Sequence, residues 1–301
     1  MRKILLYGLL FIPLTSWSQQ DPLYNQYLFN QAIINPAYAG INDIFSATLI
    51  SRNQWAGLEG APQTNTVNVH SSFFRNRIGV GLTLLNDRLG VNSNDEVSLA
   101  YAYKVQFRRS VLAFGLQGGI VTFKYDYNKL NSDITDDPSF NPIQDSFSQV
   151  NFGAGVFYKR EKMYLGVSAP RIKEVETNDG VISSTRYRRH LYVSGGYVFD
   201  QVFAVKFKPS FLVRMVEGQP TSLDLNGSVL LNETLWLGLT LRNLNALGLN
   251  AQFTLRNRFR FGYSFELPSN NLITSGFGTH EIMLGIDLAI FRRQGGNYRY
   301  F

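Results

Sequence analysis

The sequence predicts an all-β fold, a transmembrane outer-membrane barrel of about fourteen antiparallel strands, and three observations carry that reading. From about residue 45 to 291, short stretches alternate apolar and polar side chains, the period-two signature of a half-buried strand. The connections between them alternate short and long. An export signal precedes the series. Lipid leaves no backbone group unpaired, so a spanning sheet has to close on itself, with alternate side chains facing lipid and lumen.

Met1-Arg2-Lys3 opens a positive start, followed by an apolar run from Ile4 to Leu14 that Pro13 interrupts. Ser16-Trp17-Ser18 places small residues where a signal peptidase reads, making 1–18 a signal peptide and Gln19 the first mature residue. The run is too short to span a bilayer; the competing reading is a buried N-terminal helix. The chain has no cysteine, which excludes lipoprotein acylation, disulfides and thiolate chemistry together.

Residues 19–44 form a turn-rich segment, because Asp-Pro and Asn-Pro favour turns and extended geometry. Tyr24, Tyr27, Phe29, Ile33, Ile34 and Tyr38 are its apolar anchors. A fourteen-stranded barrel leaves a lumen that wall side chains alone do not fill. The segment therefore either packs in or beneath the periplasmic mouth and narrows it, or is a flexible leader ordered by a partner.

Strands follow near 45–56, 64–73, 78–84, 97–107, 110–126, 148–159, 162–169, 188–199, 205–215, 221–231, 235–242, 246–255, 258–267 and 282–290. Strand four sets Val97, Leu99, Tyr101, Tyr103, Val105 and Phe107 against Ser98, Ala100, Ala102, Lys104 and Gln106. Strand nine sets Val205, Phe207, Phe211, Val213 and Met215 against Lys206, Lys208, Ser210 and Arg214. Strand one alternates least clearly. A soluble sandwich also alternates, but its outer face is polar, whereas here one face is Leu, Ile, Val, Phe and Tyr. Composition agrees: 17% of residues are charged, against roughly a quarter in soluble domains, and no apolar stretch outside the signal reaches the ~18 residues of a membrane helix.

Short turns at Arg75-Asn76-Arg77, Arg108-Arg109, Arg160-Glu161, Asp200-Gln201, Asn232-Glu233 and Arg256-Asn257 read as periplasmic. Longer connections near 57–63, 86–95, 127–147, 170–187, 216–220 and 268–279 read as extracellular; 243–245 is brief and breaks the trend. An even strand count puts both termini, including the tail 292–301, in the periplasm. Arg108 and Arg109, with other turn arginines, either solvate turns or form a basic rim for an acidic partner. Asp133, Asp136, Asp137 and Asp145 either solvate an outer loop or collect calcium, without the spacing of a calcium loop.

Without Arg2 and Lys3 the chain keeps 27 basic and 22 acidic residues. They fall on turns and inward positions rather than on one aromatic-lined face, which argues against nucleic acid. Inward Lys206, Lys208, Arg214, Arg242 and Arg260 either select anions or pair with Asp224, Asp287 and Glu266. Only His70, His190 and His280 offer a base, and Ser71 and Ser72 have no orienting acid adjacent in sequence. The expectation is no enzyme, no metal and no cofactor.

The segment after the signal carries Gln20-Asp21-Pro22, Asn25-Gln26-Tyr27, Phe29-Asn30 and Asn35-Pro36-Ala37-Tyr38-Ala39-Gly40. Arg52-Asn53-Gln54-Trp55, Gly57 and Gly60-Ala61-Pro62-Gln63-Thr64 follow. Together these resemble the PorP/SprF family of type IX secretion system outer-membrane proteins, with Leu28 where the family has Met. Leu223-Asp224-Leu225-Asn226, Trp236-Leu237-Gly238 and His280-Glu281-Ile282-Met283-Leu284 are similar too, so the likeness spans the mature chain. It implies a role in secretion or surface attachment of proteins with a C-terminal sorting domain, such as gliding adhesins. It also implies periplasmic secretion components as partners. On this reading Asp21, Pro22, Asn30, Asn35, Pro36, Tyr38 and Gly40 are candidate periplasmic contacts, and Arg52, Gln54, Trp55, Gly57 and Pro62 candidate surface contacts. Both sets have a second reading as folding residues.

Overall fold

A computed structural model describes residues 24–125, 146–178, 183–202, 205–268, 277–289 and 300–301. Fourteen antiparallel strands close into one cylinder: β1 Phe45–Asn53, β2 Gln63–Phe73, β3 Ile78–Leu89, β4 Asn92–Gln106, β5 Ser110–Tyr125, β6 Ser146–Arg160, β7 Met163–Ala169, β8 His190–Tyr197, β9 Val205–Val216, β10 Ser222–Leu231, β11 Leu235–Arg242, β12 Ala246–Leu255, β13 Phe259–Pro268 and β14 Thr279–Leu288. Phe199–Val202 continues β8 past a break at Val198, and both pieces pair with β9. The seam is β1 against β14, continuous from Phe45↔Leu288 to Asn53↔His280. A separate hairpin, Val175–Asn178 with Ser183–Tyr187, lies in the connection after β7.

The outward face is a belt of exposed apolar side chains, among them Leu99, Leu116, Phe152, Leu239 and Ile282. The inward face is buried and polar, with Thr66, Asn68, Ser98, Ser228, Thr240 and Ser264. That inversion of the soluble rule follows from lipid outside and a filled lumen inside. β1, whose faces are hard to separate in sequence, turns Ser46, Thr48, Ile50 and Arg52 inward.

The expected long connection at 86–95 is corrected. β3 and β4 extend to Leu89 and Asn92 and meet in a two-residue turn with Gly90 at φ +57. Polar outward residues make this possible: Asn86 donates to Asp95 (2.6 Å), and Lys124 on β5 pairs with Asp95 (2.7 Å). The strands thus rise above the apolar belt by about 16 Å from Leu84, at about 3.3 Å per residue. β1 ends at Asn53, three residues short of its expected end. The aspartates at 133, 136, 137 and 145 fall outside the described residues, as do the signal peptide and residues 292–299 of the tail.

Candidate functional site

The lumen is occupied by the chain's own N-terminal segment. Residues 24–41 descend from the long-loop half of the cylinder to its short-turn mouth, through three 3₁₀ turns, Gln26–Leu28, Gln31–Ile33 and Pro36–Tyr38. Tyr24, Tyr27, Leu28, Phe29 and Ile34 form one apolar cluster with wall residues Ile50, Tyr192, Leu212, Leu230, Trp236 and Met283. Tyr38 and Ile41 form a second with Ala113, Phe157, Tyr164 and Phe301. The segment is therefore neither a free leader nor confined beneath the mouth.

At the short-turn half the fit is steric. Asn35 caps its own turn by accepting from Ala37 N–H (2.9 Å), and Pro36 at the first turn position has the φ that turn needs. The wall opposite is glycine. A Cβ on Gly79 would fall 1.8 Å from Ala39 O, one on Gly115 2.2 Å from Ala37 N, and one on Gly155 2.2 Å from Asn35 Oδ1. Gly40, at φ +64, turns the chain out of the lumen. Its N–H donates to His70 Nδ1 (3.2 Å) and its carbonyl accepts from Lys104 Nζ. Tyr38 sets its ring edge-on to Phe157 and His70.

At the long-loop half the fit is polar. Glu281 on β14, 0% exposed, accepts from Asn25 N–H through both oxygens (2.9 Å each) and from Gln26 N–H (3.1 Å). The same carboxylate pairs with Arg52, its register partner across the seam. Arg242 donates to Asn25 Oδ1 (2.8 Å) while pairing with Asp224 (3.1 Å) and Glu266 (2.7 Å). Gln26 donates to Ser264 (2.8 Å), and Tyr24 shares a hydrogen bond with Thr66 (2.7 Å). Burial pushes the Tyr24 and Tyr27 phenols well above the usual tyrosine range, keeping both neutral. Asn25 Nδ2, Gln26 Oε1, Tyr27 OH and Asn30 Nδ2 are buried without a protein hydrogen-bond partner.

The short-turn mouth is also closed by Tyr300 and Phe301. Lys208 Nζ donates to Tyr300 O (3.1 Å) and stands over the Trp236 ring (4.5 Å). Lys206 donates to Tyr300 OH (2.6 Å) and pairs with Glu233. Asn42 donates to Phe301 O (3.1 Å), and the Phe301 ring lies 4.9 Å from that of Tyr164. The inward arginines are neutralised along the inner wall, Arg242 by Asp224 and Glu266 and Arg260 by Asp287 (2.9 Å) on the adjacent strand, so they pair with the acids that one of the two sequence readings names.

Asn30, Asn35, Pro36, Tyr38 and Gly40 are all buried in the lumen, and Asp21 and Pro22 lie outside the described residues. Arg52 is corrected: it is not at the surface but 3% exposed inside the wall. Gln54, Trp55, Gly57 and Pro62 do lie in the β1–β2 loop. Gln54 N–H donates to Pro62 O (2.9 Å), and Ala56 exchanges hydrogen bonds with Phe277 and Gly278 (2.8 and 2.9 Å). Gly57, at φ +93, leaves room for the Phe277 ring. Arg108 and Arg109 are exposed on their turn. The three histidines stand apart on β2, β8 and β14, and no group of three metal-ligating side chains occurs among the described residues. Sequence reasoning missed Glu281, the wall glycines as seats for the segment, and the return of Tyr300 and Phe301. A signal for Glu281 existed: Ile282 and Leu284 face outward, which turns residue 281 into the lumen.

A closed antiparallel cylinder with an apolar belt outside and a polar, filled interior is an outer-membrane β-barrel protein. The chain belongs to the type IX secretion system membrane protein PorP/SprF family, whose model matches residues 16–286. No protein of curated function matches it. Among solved structures it is similar to the outer-membrane protein Omp33 of Acinetobacter baumannii (8% identity, TM-score 0.45, covering 82% of this chain and 99% of that one). It is also similar to the KdgM porin (7%, 0.41, 82% and 99%) and to a mutant porin of Rh. blastica (8%, 0.34, 81% and 99%). At these scores the likeness carries no argument about transport.

Proposed function

We propose that this protein is a non-enzymatic docking component of the type IX secretion system. It supports secretion or surface attachment of a protein with a C-terminal sorting domain, such as a gliding adhesin. The occupied lumen is the observation that carries this reading: a barrel filled by its own chain offers partners its two ends, not a passage. With the short turns in the periplasm, as in bacterial barrels, the exposed Arg108 and Arg109 face periplasmic secretion components. The β1–β2 loop with Gln54, Trp55, Gly57 and Pro62 faces the secreted client. The candidates Asn30, Asn35, Pro36, Tyr38 and Gly40 then act indirectly, by holding the filler that keeps the ends in shape.

Deleting the gene in the native host and comparing surface and medium proteins by mass spectrometry tests this. Loss of one or a few sorting-domain proteins is the expected result; loss of all would mean a core machine part, and an unchanged surface proteome would refute the secretion role. The competing reading, a pore for a small solute or fatty acid, needs an open lumen. Purified barrel in a planar bilayer is expected to stay closed, and barrel lacking residues 20–40 to conduct.

A further inference from the structure

Two of the short turns repeat one tripeptide. Arg75-Asn76-Arg77 lies between β2 and β3, and Arg256-Asn257-Arg258 between β12 and β13. Only β14 and β1 separate the two hairpins in the wall, so the turns flank the seam. In both, the first arginine and the asparagine take positive φ, +57 and +63 in one and +51 and +53 in the other. That backbone does not call for arginine. Three-residue turns whose first two residues also take positive φ are built as Asn232-Glu233-Thr234 and Asn243-Leu244-Asn245.

The four guanidinium groups have no counter-charge within the chain. All four residues are exposed, and among the described residues none of their side chains makes an ion pair or a hydrogen bond. The lysines at the same mouth differ: buried Lys104 and Lys208 donate to Gly40 O and Tyr300 O. The acids there are engaged elsewhere. Asp43 accepts from Ser72, Asp200 pairs with Lys162, Glu233 pairs with Lys206, and Glu161 stands beside Arg160 in its own turn. Residues 203–204 and 290–299 contain no acid. Two cations set two residues apart repel, so the missing partner is an anion from outside the chain.

Both turns stand where the apolar belt ends. Phe73 and Leu255 are the last outward side chains before the turns, Phe259 is the first after the second one, and Phe74, within the first, is 75% exposed. Aromatic rings at the edge of such a belt sit among lipid headgroups, and arginine side chains extend along apolar surface to reach the same plane. A planar guanidinium binds phosphate oxygens bidentately. An acidic protein would have to be brought to these turns, whereas the bilayer holds its phosphates beside them already. We propose that the two Arg-Asn-Arg turns are a pair of binding sites for the headgroup phosphate of an anionic glycerophospholipid, one on each side of the seam. This rests on the barrel's place in a bilayer and is independent of the secretion role. Arg108 and Arg109, consecutive rather than spaced by asparagine, remain the contacts assigned above to a periplasmic component.

The full mature barrel is placed in nanodiscs of phosphatidylcholine and phosphatidylglycerol in equal parts, and the lipids it retains on release are counted by native mass spectrometry. Wild type is expected to keep phosphatidylglycerol in preference to phosphatidylcholine. Arg75→Gln, Arg77→Gln, Arg256→Gln and Arg258→Gln together should lower that preference about tenfold, and Arg→Lys at the same four positions should keep most of it. Heat-dependent gel mobility shows which variants are folded. Should the fourfold Gln chain not fold, R75Q with R77Q and R256Q with R258Q are measured separately, each expected to lose the phosphatidylglycerol of its own turn while the other turn keeps its lipid. Equal preference in wild type and the Gln chains overturns the proposal and leaves the four arginines to an acidic protein. Displacement of the bound lipid by inorganic phosphate would also overturn it, since the turns would then be sites for the free anion.

Discussion

The two halves of the lumen segment are held by different physics. Residues 35–40 are held by shape: a wall of Gly79, Gly115 and Gly155 lets backbone meet backbone, and no larger residue fits between. Residues 24–26 are held by charge and hydrogen bonds, through Glu281, Arg52, Arg242, Ser264 and Thr66, and leave several buried polar atoms without a protein partner. Steric fit is all-or-none, because interiors at crystal-like density do not yield gradually. A polar fit depends on every member of the network. The short-turn half is thus the fixed seat of the segment, and the long-loop half is the part a change in charge can unseat.

The largest expected effect is at Glu281. Glu281→Ala strands Arg52 inside the wall and leaves the Asn25 and Gln26 N–H groups without their acceptor. Breaking one partner of a buried pair costs about 3–5 kcal/mol. The mutant barrel should unfold at distinctly lower denaturant in detergent, read by its heat-dependent gel mobility. Wild-type stability would mean that shape alone holds both halves.

Next comes Gly115→Ala, whose methyl falls on Ala37. Overpacking of this kind costs about 1–3 kcal/mol. Since the wall itself remains intact, the cost should appear as displacement of residues 35–40, seen as new conductance in a planar bilayer. A closed channel would show that the wall can give, against the steric account. Tyr24→Phe is smaller, removing one buried hydrogen bond to Thr66 worth about 1 kcal/mol, and should shift the denaturation midpoint slightly without opening the lumen. Smallest for the fold is Arg108→Glu with Arg109→Glu, on an exposed turn. Stability should be unchanged, while pull-down of an acidic periplasmic partner weakens; unchanged pull-down would leave these arginines as turn solvation only.

The wall was legible because period two is a local property: fourteen strands, the seam strand β14 with Ile282, Leu284 and Ile286 outward, and most turns fall where alternation places them. The β3–β4 tip was not, because polar residues that read as a loop are equally suited to strands standing in water, and Asn86, Asp95 and Lys124 pair there instead of fraying. The interior was the harder part. Glu281 meets Asn25 across more than two hundred residues, and Tyr300 meets Lys206 across 94; no local pattern encodes such contacts. Glycines at 79, 115 and 155 read as small lumen residues, and only the segment seated on them says why nothing larger stands there.

Glu281 lies on the last strand, Arg52 on the first, and the residues they jointly hold precede both. The carboxylate that forms an ion pair across the seam is therefore also the one that grips the contents. Loss of that one carboxylate weakens closure and filling together. The wall thus encloses a core made of its own chain, as if a soluble protein had been turned inside out.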